Sequence, residues 1–213
     1  MKILAVADKL VDFIYSPCLV DKYGDVDVVL SCGDLPYYYL EYIVTMLNVP
    51  LLYVHGNHDP AVEYTASGQT EGGPSGCVNV HCRLVRQKSL SVVGLEGSIR
   101  YKPEGQYQYT DAQMWAHALH LAPRLLWHQL VTHRRLDVLV AHAPPFGIHD
   151  GHDPTHVGFR AFLWLMRSFK PRYFIHGHRH VYSPSEVTET RYGATTVVNV
   201  YPYRAIEIDV EGK

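Results

Sequence analysis

A series of short apolar runs, each followed by a polar residue, constrains this chain more than any other feature of its sequence. The runs are rich in Val, Ile and Leu, which is typical of buried strands. They cover residues 2–7, 26–30, 51–55, 138–141 and 172–176. The polar residues that follow them are Asp8, Asp34, Asn57, His142 and His178. Because ligands collect at the carboxyl ends of strands in open α/β sheets, this pattern predicts a functional site at one sheet edge.

Longer segments with helical apolar periodicity separate these runs, at residues 36–48, 111–133 and 157–170. Strands that alternate with such segments predict an α/β layered fold. Pro123 lies inside the second segment, where the ring and the missing N–H of proline predict a kink or a break. Alternating apolar residues over 78–93 and 186–210 predict antiparallel strands. The Gly-rich stretch 67–76 predicts a mobile loop.

The length of 213 residues and the composition indicate one globular domain that spans residues 1–213. Hydrophobic residues make up 47% of the chain and charged residues 19%, which speaks against disorder. The formal net charge of -2 at pH 7 provides no surface field of the kind that binds duplex DNA in general.

The cellular environment is predicted from apolar runs and cysteines. No run approaches the ~18 residues of a membrane span, so we expect no membrane association. The four Cys residues form no C-x-x-C pair, and a chain of this length can build a core without disulfides. Reduced thiols and the lack of a signal-peptide pattern at the N-terminus predict a cytoplasmic protein. The oligomeric state is left open.

Histidine is unusually abundant, with 14 residues in the chain. Imidazole is the commonest metal ligand, and here it stands beside carboxylates and an amide at the predicted strand ends. That mixture of ligands suits Mn²⁺, Fe²⁺ or Zn²⁺ better than Ca²⁺. The candidate site residues are Asp8, Asp34, Asn57, His58, His142, His178 and His180.

The order of these residues resembles the motif series of the calcineurin-like metallophosphoesterases. The matching segments are Asp8, Gly33-Asp34, Gly56-Asn57-His58-Asp59, His142 and Gly177-His178-Arg179-His180. The resemblance implies the fold of that family, a layered β-sandwich flanked by helices in the order αββα. It also implies a metal-dependent phosphoesterase that cleaves phosphodiester or phosphomonoester bonds by in-line attack of a metal-bound hydroxide.

The resemblance further implies two divalent metal ions, most readily Mn²⁺, with Fe or Zn as alternatives. One ion would be bound by Asp8, Asp34 and His180. The other would be bound by Asp34, Asn57, His142 and His178, so that Asp34 bridges the two ions. His58 would contact a phosphoryl oxygen or protonate the leaving group, and Asp59 would orient the His58 ring.

One position departs from the family pattern, because Leu10 stands where the family has a histidine two residues after Asp8. Leucine cannot coordinate a metal, so the first site is weakened, with Asp12 as a conceivable replacement ligand. Three protein ligands plus water still form a workable catalytic site. The alternative function is a metal-binding but catalytically degenerate scaffold or interaction subunit of the same fold.

The expected partner is a phosphate-ester substrate. The lack of a basic surplus favours a small or single-stranded nucleotide-like molecule over duplex DNA. Arg179 and His156 are candidate substrate-binding residues. Tyr37 is a third, and its ring would either stack on a base or pack on the core. The histidine-rich loop 149–156 would face the substrate or hold a metal.

Another group with metal-binding side chains consists of Cys77, His81 and Cys82. This group lacks the second ligand pair of a zinc knuckle. The spacing therefore favours buried thiols and a strand histidine over a zinc site.

Overall fold

The computed structural model describes residues 1–60, 63–64 and 70–209. In chain order, its elements are β1 (Lys2–Val6), α1 (Cys18–Tyr23), β2 (Val28–Ser31), α2 (Tyr37–Leu47), β3 (Leu51–Tyr53), β4 (Glu63–Tyr64), β5 (Thr70–Glu71), β6 (Cys77–Asn79), β7 (Leu84–Gln87), β8 (Leu90–Leu95), β9 (Ser98–Ile99), β10 (Gln108–Tyr109), α3 (Asp111–Thr132), β11 (Val138–Ala141), α4 (Arg160–Phe169), β12 (Tyr173–His176), β13 (Glu189–Tyr192), β14 (Thr195–Asn199) and β15 (Tyr203–Glu207). Within these described residues, no helix combines the length and the apolarity that a membrane span requires.

Two large sheets face each other at the centre of the molecule. The first has the strand order β15-β1-β2-β3-β6, and the second has the order β13-β14-β12-β11-β8-β7. Helices α1 and α2 cover the outer face of the first sheet, and α3 and α4 cover the outer face of the second. This αββα arrangement confirms the predicted layered α/β sandwich.

Alternation of side chains along each strand builds these layers. In β1, Ile3 and Ala5 belong to the core between the two sheets, whereas Leu4 and Val6 pack with the residues of α1 and α2. Strand β11 divides in the same way between the central core and the helices on its other side. Because such strands are buried on both faces, they appear in the sequence as continuous apolar runs.

The carboxyl ends of the parallel strands meet at one end of the sandwich. Strands β1, β2, β3 and β6 are parallel in the first sheet, and β8, β11, β12 and β14 are parallel in the second. The antiparallel strands β15, β7 and β13 lie at the sheet edges. Backbone hydrogen bonds of 3.1 Å join neighbouring strand ends, from Asp8 N to Gly33 O and from Gly177 N to His142 O.

The five predicted strands correspond to β1, β2, β3, β11 and β12, with ends that differ by no more than two residues. The antiparallel prediction is correct for β7 with β8 and for β13 with β14. It is wrong for β6, which extends the first sheet in parallel with β3. Residues 67–69 of the predicted Gly-rich loop lie outside the described residues.

Of the kink or break predicted at Pro123, the break is wrong, because α3 continues from Asp111 to Thr132. The helix begins with a capping box, in which the Thr110 side chain accepts from Gln113 N and the Gln113 side chain accepts from Thr110 N. Pro123 lies on the exposed side of the helix. Packing of the opposite side against the second sheet offsets the backbone hydrogen bond that proline cannot make.

The cost of this proline can be measured with the Pro123→Ala variant. Alanine would donate an N–H to the Leu119 carbonyl and remove the ring, so we expect the free energy of unfolding to rise by about 1 to 3 kcal/mol. Urea denaturation measures the change. The matched control is Pro103→Ala in an exposed loop, which should bring no gain. Equal stabilities of the two variants would contradict this account of α3.

Candidate metal centre

Three of the predicted ligands hold a strained backbone conformation at the strand ends. Asp8, Asp34 and His178 have φ angles of 65°, 57° and 64°, in the left-handed region that non-glycine residues rarely occupy. Such strain persists only where the surrounding structure enforces it, and it clusters at functional sites. Here it turns each side chain out of its strand direction and toward the same end of the sandwich.

Two glycines allow the strand ends to approach each other closely. A Cβ atom at Gly56 would lie 2.0 Å from Asp34 Oδ1, and one at Gly177 would lie 2.4 Å from Asp8 Oδ2. Any side chain at these positions would displace a predicted metal ligand. The glycines of the two motifs are therefore required by the packing of the site.

His142 lies at the centre of the site and is fully buried. Its Nδ1 lies 2.7 Å from the Cys32 carbonyl oxygen, which can only accept a hydrogen bond, so Nδ1 carries the proton. The lone pair of Nε2 then faces two further acceptors, with Asn57 Oδ1 at 3.0 Å and Asp34 Oδ2 at 3.4 Å. Burial lowers the pKa of His142, which keeps the ring neutral. Three lone pairs thus converge with no proton between them, an arrangement that a cation would satisfy.

Both ends of the Asn57 amide group have partners. Asn57 Nδ2 donates to the Tyr101 hydroxyl at 3.1 Å, and Oδ1 is turned toward His142. Asn57 itself is buried. The sequence carries no signal for Tyr101, because this residue comes from an irregular segment 44 positions further along the chain.

His178 completes a group of potential ligands with Asp34 and His142, whose ligand atoms all lie within 4.8 Å of one another. The Thr155 carbonyl oxygen accepts from His178 Nε2 at 2.8 Å, which leaves the lone pair on Nδ1. The backbone N–H of His178 also donates to both oxygens of Asp8, at 3.0 and 2.9 Å. The predicted residues of the second metal site are therefore brought together.

The electrostatics of the site also favour a cation. Burial, and next the negative charge of Asp34, raise the pKa of Asp8 well above its ordinary value. Burial likewise lowers the pKa of His178, and the neighbouring His142 lowers it further. Two adjacent carboxylates beside neutral imidazoles form the donor set that a divalent transition metal prefers. The residues present therefore fit a divalent metal ion.

The predicted ligands of the first metal site are less well assembled. His180 is exposed, its ring stacks on Tyr201 with centroids 4.4 Å apart, and its Nδ1 lies 2.9 Å from the Tyr182 hydroxyl. Leu10 is 43% exposed and supplies no ligand. Asp12 is exposed as well. Of the predicted ligands of the first site, Asp8 and Asp34 lie together, whereas His180 lies at the exposed rim.

Asp59 joins the backbone of two loops. Its carboxylate accepts from the backbone N–H groups of Gly56 at 2.7 Å, Asp34 at 3.0 Å and Leu35 at 3.1 Å. These bonds tie the strand end after β2 to the strand end after β3, so Asp59 positions the two loops, and its orientation of the His58 ring stays a prediction. Burial raises the pKa of Asp59 to about 7. The His58 side chain is exposed, while its backbone N–H donates to Asp34 Oδ1 at 2.8 Å.

Two of the three predicted substrate-binding residues line a cavity beside the site. The cavity has a volume of about 470 Å³, and its lining includes Arg179, His156 and His180. Arg179 donates to the Asp150 carbonyl and lies 3.6 Å from Glu186, and His156 Nδ1 lies 2.8 Å from Asp153. The loop predicted to face substrate contributes the cavity residues Gly151, His152, Asp153 and His156.

Tyr37, the third predicted substrate-binding residue, does not line this cavity. The residue is only 2% exposed, and its hydroxyl donates to the Pro60 carbonyl at 2.8 Å. A buried ring cannot stack on a base, so the stacking role is wrong and the packing alternative is correct.

The structure groups His81, Cys82 and His117, although Cys77 is not part of this cluster. Glu96 N donates to His81 Nδ1 at 3.1 Å, so the proton of neutral His81 lies on Nε2, which is 3.4 Å from Cys82 Sγ. Cys82 Sγ lies 3.3 Å from His117 Nδ1. Burial raises the pKa of Cys82 to about 11 and lowers that of His81 to about 4. A neutral hydrogen-bonded chain satisfies these groups. The predicted burial of the thiols is wrong, because Cys77 and Cys82 are only half-buried.

The comparisons with known proteins define the class to which this fold and site belong. A family model described as calcineurin-like phosphoesterase matches residues 1–182. The chain belongs to the calcineurin-like phosphoesterase family. No curated protein sequence matches the chain significantly.

A solved structure agrees with the fold. The crystal structure of TT1561 of Thermus thermophilus superposes with a TM-score of 0.61 at 17% identity, over 93% of this chain and 88% of its own. At this identity the likeness concerns the fold alone. A weaker similarity is to Vacuolar Protein Sorting 29 from Cryptosporidium parvum, with a TM-score of 0.45 at 12% identity, over 93% of this chain and 72% of its own.

The positioning role of Asp59 predicts a loss of stability in the Asp59→Asn variant. An amide group would present an N–H to at least one of the three backbone donors, so the free energy of unfolding should fall by about 1 to 3 kcal/mol. Urea denaturation in the presence of a chelator isolates this effect from metal binding. The control is Asp12→Asn at an exposed position, which should change stability little. A variant as stable as this control would contradict the positioning role.

Proposed function

We propose that this protein is a metal-dependent phosphoesterase that hydrolyses phosphodiester or phosphomonoester bonds by in-line attack of water. The observation that carries the proposal is the convergence of His142 Nε2, Asn57 Oδ1 and Asp34 Oδ2 without a proton between them. Membership of the calcineurin-like phosphoesterase family supports the same reaction class.

Each residue of the site has a proposed task. Asp34, Asn57, His142 and His178 would hold one ion, and Asp8, Asp34 and His180 would hold a second. Bound divalent ions, most readily Mn²⁺, would activate water and neutralise the charge of the phosphoryl group. The exposed imidazole of His58 would donate a proton to the leaving oxygen, since it lies next to a ligand without being committed to the cluster.

The proposed substrate is a small or single-stranded nucleotide-like phosphate ester. The net charge of -2 provides no general attraction for duplex DNA. The 470 Å³ cavity next to the site is lined by Arg179 and the polar groups of His152 and His156, together with the acidic side chains of Asp153 and Glu186. This volume falls within the range of pockets that bind small molecules.

Leu10 favours a second candidate function, that of a metal-binding scaffold without turnover. Its exposed aliphatic side chain replaces a metal-ligating group, and His180 bonds to Tyr182 at the rim. A protein that retained only the site around His142 would bind one ion and could serve as an interaction subunit.

Hydrolysis assays on two matched variants test the proposal. Wild-type protein with Mn²⁺ should hydrolyse bis(p-nitrophenyl) phosphate or p-nitrophenyl phosphate. The His142→Ala variant should lose both bound metal and activity, because it removes the central ligand. The His58→Ala variant should lose activity by ~100-fold or more while its bound metal stays nearly unchanged. Metal content and initial rates measured on the same preparations give both quantities.

The assay also has clear contrary outcomes. A folded, metal-loaded wild type that hydrolyses neither ester would favour the scaffold function. Loss of metal from His58→Ala would identify His58 as a ligand and remove its role as proton donor.

The Leu10→His variant tests whether position 10 limits the first metal site. If the introduced imidazole reaches the Asp8 carboxylate region, affinity for that ion should rise by about 10- to 100-fold. Metal stoichiometry at a fixed low Mn²⁺ concentration, compared between wild type and variant, measures the gain. An unchanged stoichiometry in a folded variant would show that position 10 faces elsewhere or that another residue already completes the site.

A further inference from the structure

The outer face of α3 exposes large apolar side chains along its length. Leu119, Trp127 and Leu130 are 56%, 70% and 61% exposed, and Leu126 and Val131 are more than half exposed. Ala112, Ala116 and Pro123 extend the same face toward the start of the helix. Soluble monomers rarely place so many large apolar groups side by side on one surface.

This face carries little charge of its own. Among the exposed positions of α3, one residue, Arg124, is charged. Its Nη1 lies 2.8 Å from His120 Nε2, beside the apolar stripe. From Ala112 to Val131 the stripe is roughly 28 Å long at 1.5 Å per residue. An apolar strip of that length suits the helix of another protein molecule better than a small ligand.

One row of positions within the stripe is symmetric. This row consists of Ala112, Ala116, Leu119, Pro123, Leu126 and Leu130, and Trp127 and Val131 lie beside it. The intervals between them are four, three, four, three and four residues, which read the same in both directions. Two copies of α3 packed antiparallel would therefore bring the six positions of one helix opposite the six positions of the other.

Side-chain sizes in this arrangement are complementary. The antiparallel register places Ala112 opposite Leu130 and Ala116 opposite Leu126, so that a small residue meets a large one at each end. Leu119 meets Pro123 near the centre. Alternation of large and small residues across an interface allows close helix packing.

The charges at the helix ends are complementary as well. Asp111 stands at the start of α3, and the exposed basic residue Arg135 follows its end. In an antiparallel pair, the acidic end of one helix would lie near the basic end of the other. The helix dipoles would also oppose each other favourably.

We propose that α3 is a self-association surface on which a second copy of this chain packs antiparallel around a twofold axis. The occupant is the same chain because the spacing, the side-chain sizes and the end charges are all self-complementary. The helix covers the outer face of the second sheet, whereas the candidate metal centre lies at the strand ends, so each protomer keeps its own site. The surface therefore stands independently of the proposed function.

Sedimentation analysis over a range of protein concentrations tests the proposal. A single helix pair lies at the small end of specific interfaces, so we expect a dimer that forms in the range of about 1 to 100 μM. The Trp127→Glu and Leu130→Glu variants should be monomeric throughout that range. Val187→Glu, at a position that is equally exposed on another surface, should dimerise like the wild type.

The Ala116→Trp variant distinguishes specific antiparallel pairing from non-specific hydrophobic association. A larger apolar residue would strengthen non-specific association, but it would clash with Leu126 of the partner in the antiparallel register. We expect at least a tenfold weaker dimer for this variant. A wild type that stays monomeric at ~100 μM would overturn the proposal. So would a dimer that survives Trp127→Glu, or one that Ala116→Trp strengthens.

Discussion

The hydrogen bond between His142 Nδ1 and the Cys32 carbonyl oxygen is the interaction on which the rest of the site depends. It joins residues 110 positions apart and connects the end of β11 with the end of β2, so it links the two sheets. Because the imidazole is fully buried, no water competes for this bond. The bond therefore fixes both the orientation of the ring and the nitrogen that remains free, and the acceptors from Asn57 and Asp34 converge on that nitrogen.

The Gly-Asn-His-Asp segment divides its work between chemistry and construction. Asn57 and His58 present side chains to the site, whereas Asp59 binds the backbone of its own loop and of the loop after β2. A carboxylate is suited to this task because it accepts several N–H groups at once. Asp59 is an ionisable residue of this motif, and its backbone bonds hold the other residues of the motif in place.

The sequence predicted the layers and the strand-end residues because both leave local signals. Strands buried on two faces appear as continuous apolar runs. The polar residues Asp8, His142 and His178 stand out where the runs of β1, β11 and β12 end. The continuity of α3 through Pro123 was not predictable, since packing of the opposite helix face offsets the local cost of proline. Tyr101 and the bonds of Asp59 were equally hidden, because they join segments that are distant in sequence or pair a side chain with backbone groups. The sequence could not decide between burial and exposure of Tyr37, because the orientation of α2 toward the core depends on tertiary packing.

The hydrogen bond from His178 to the Thr155 carbonyl has a consequence for how the two halves of the site communicate. Thr155 belongs to the loop that also carries His152, Asp153 and His156 into the adjacent cavity. The same short stretch of backbone thus supports a candidate metal ligand on one side and lines the adjacent cavity on the other. Any rearrangement of the loop on binding would be transmitted to the His178 imidazole. Thermodynamic reciprocity then requires that whatever a ligand in the cavity does to the affinity for metal, the metal does to the affinity for that ligand.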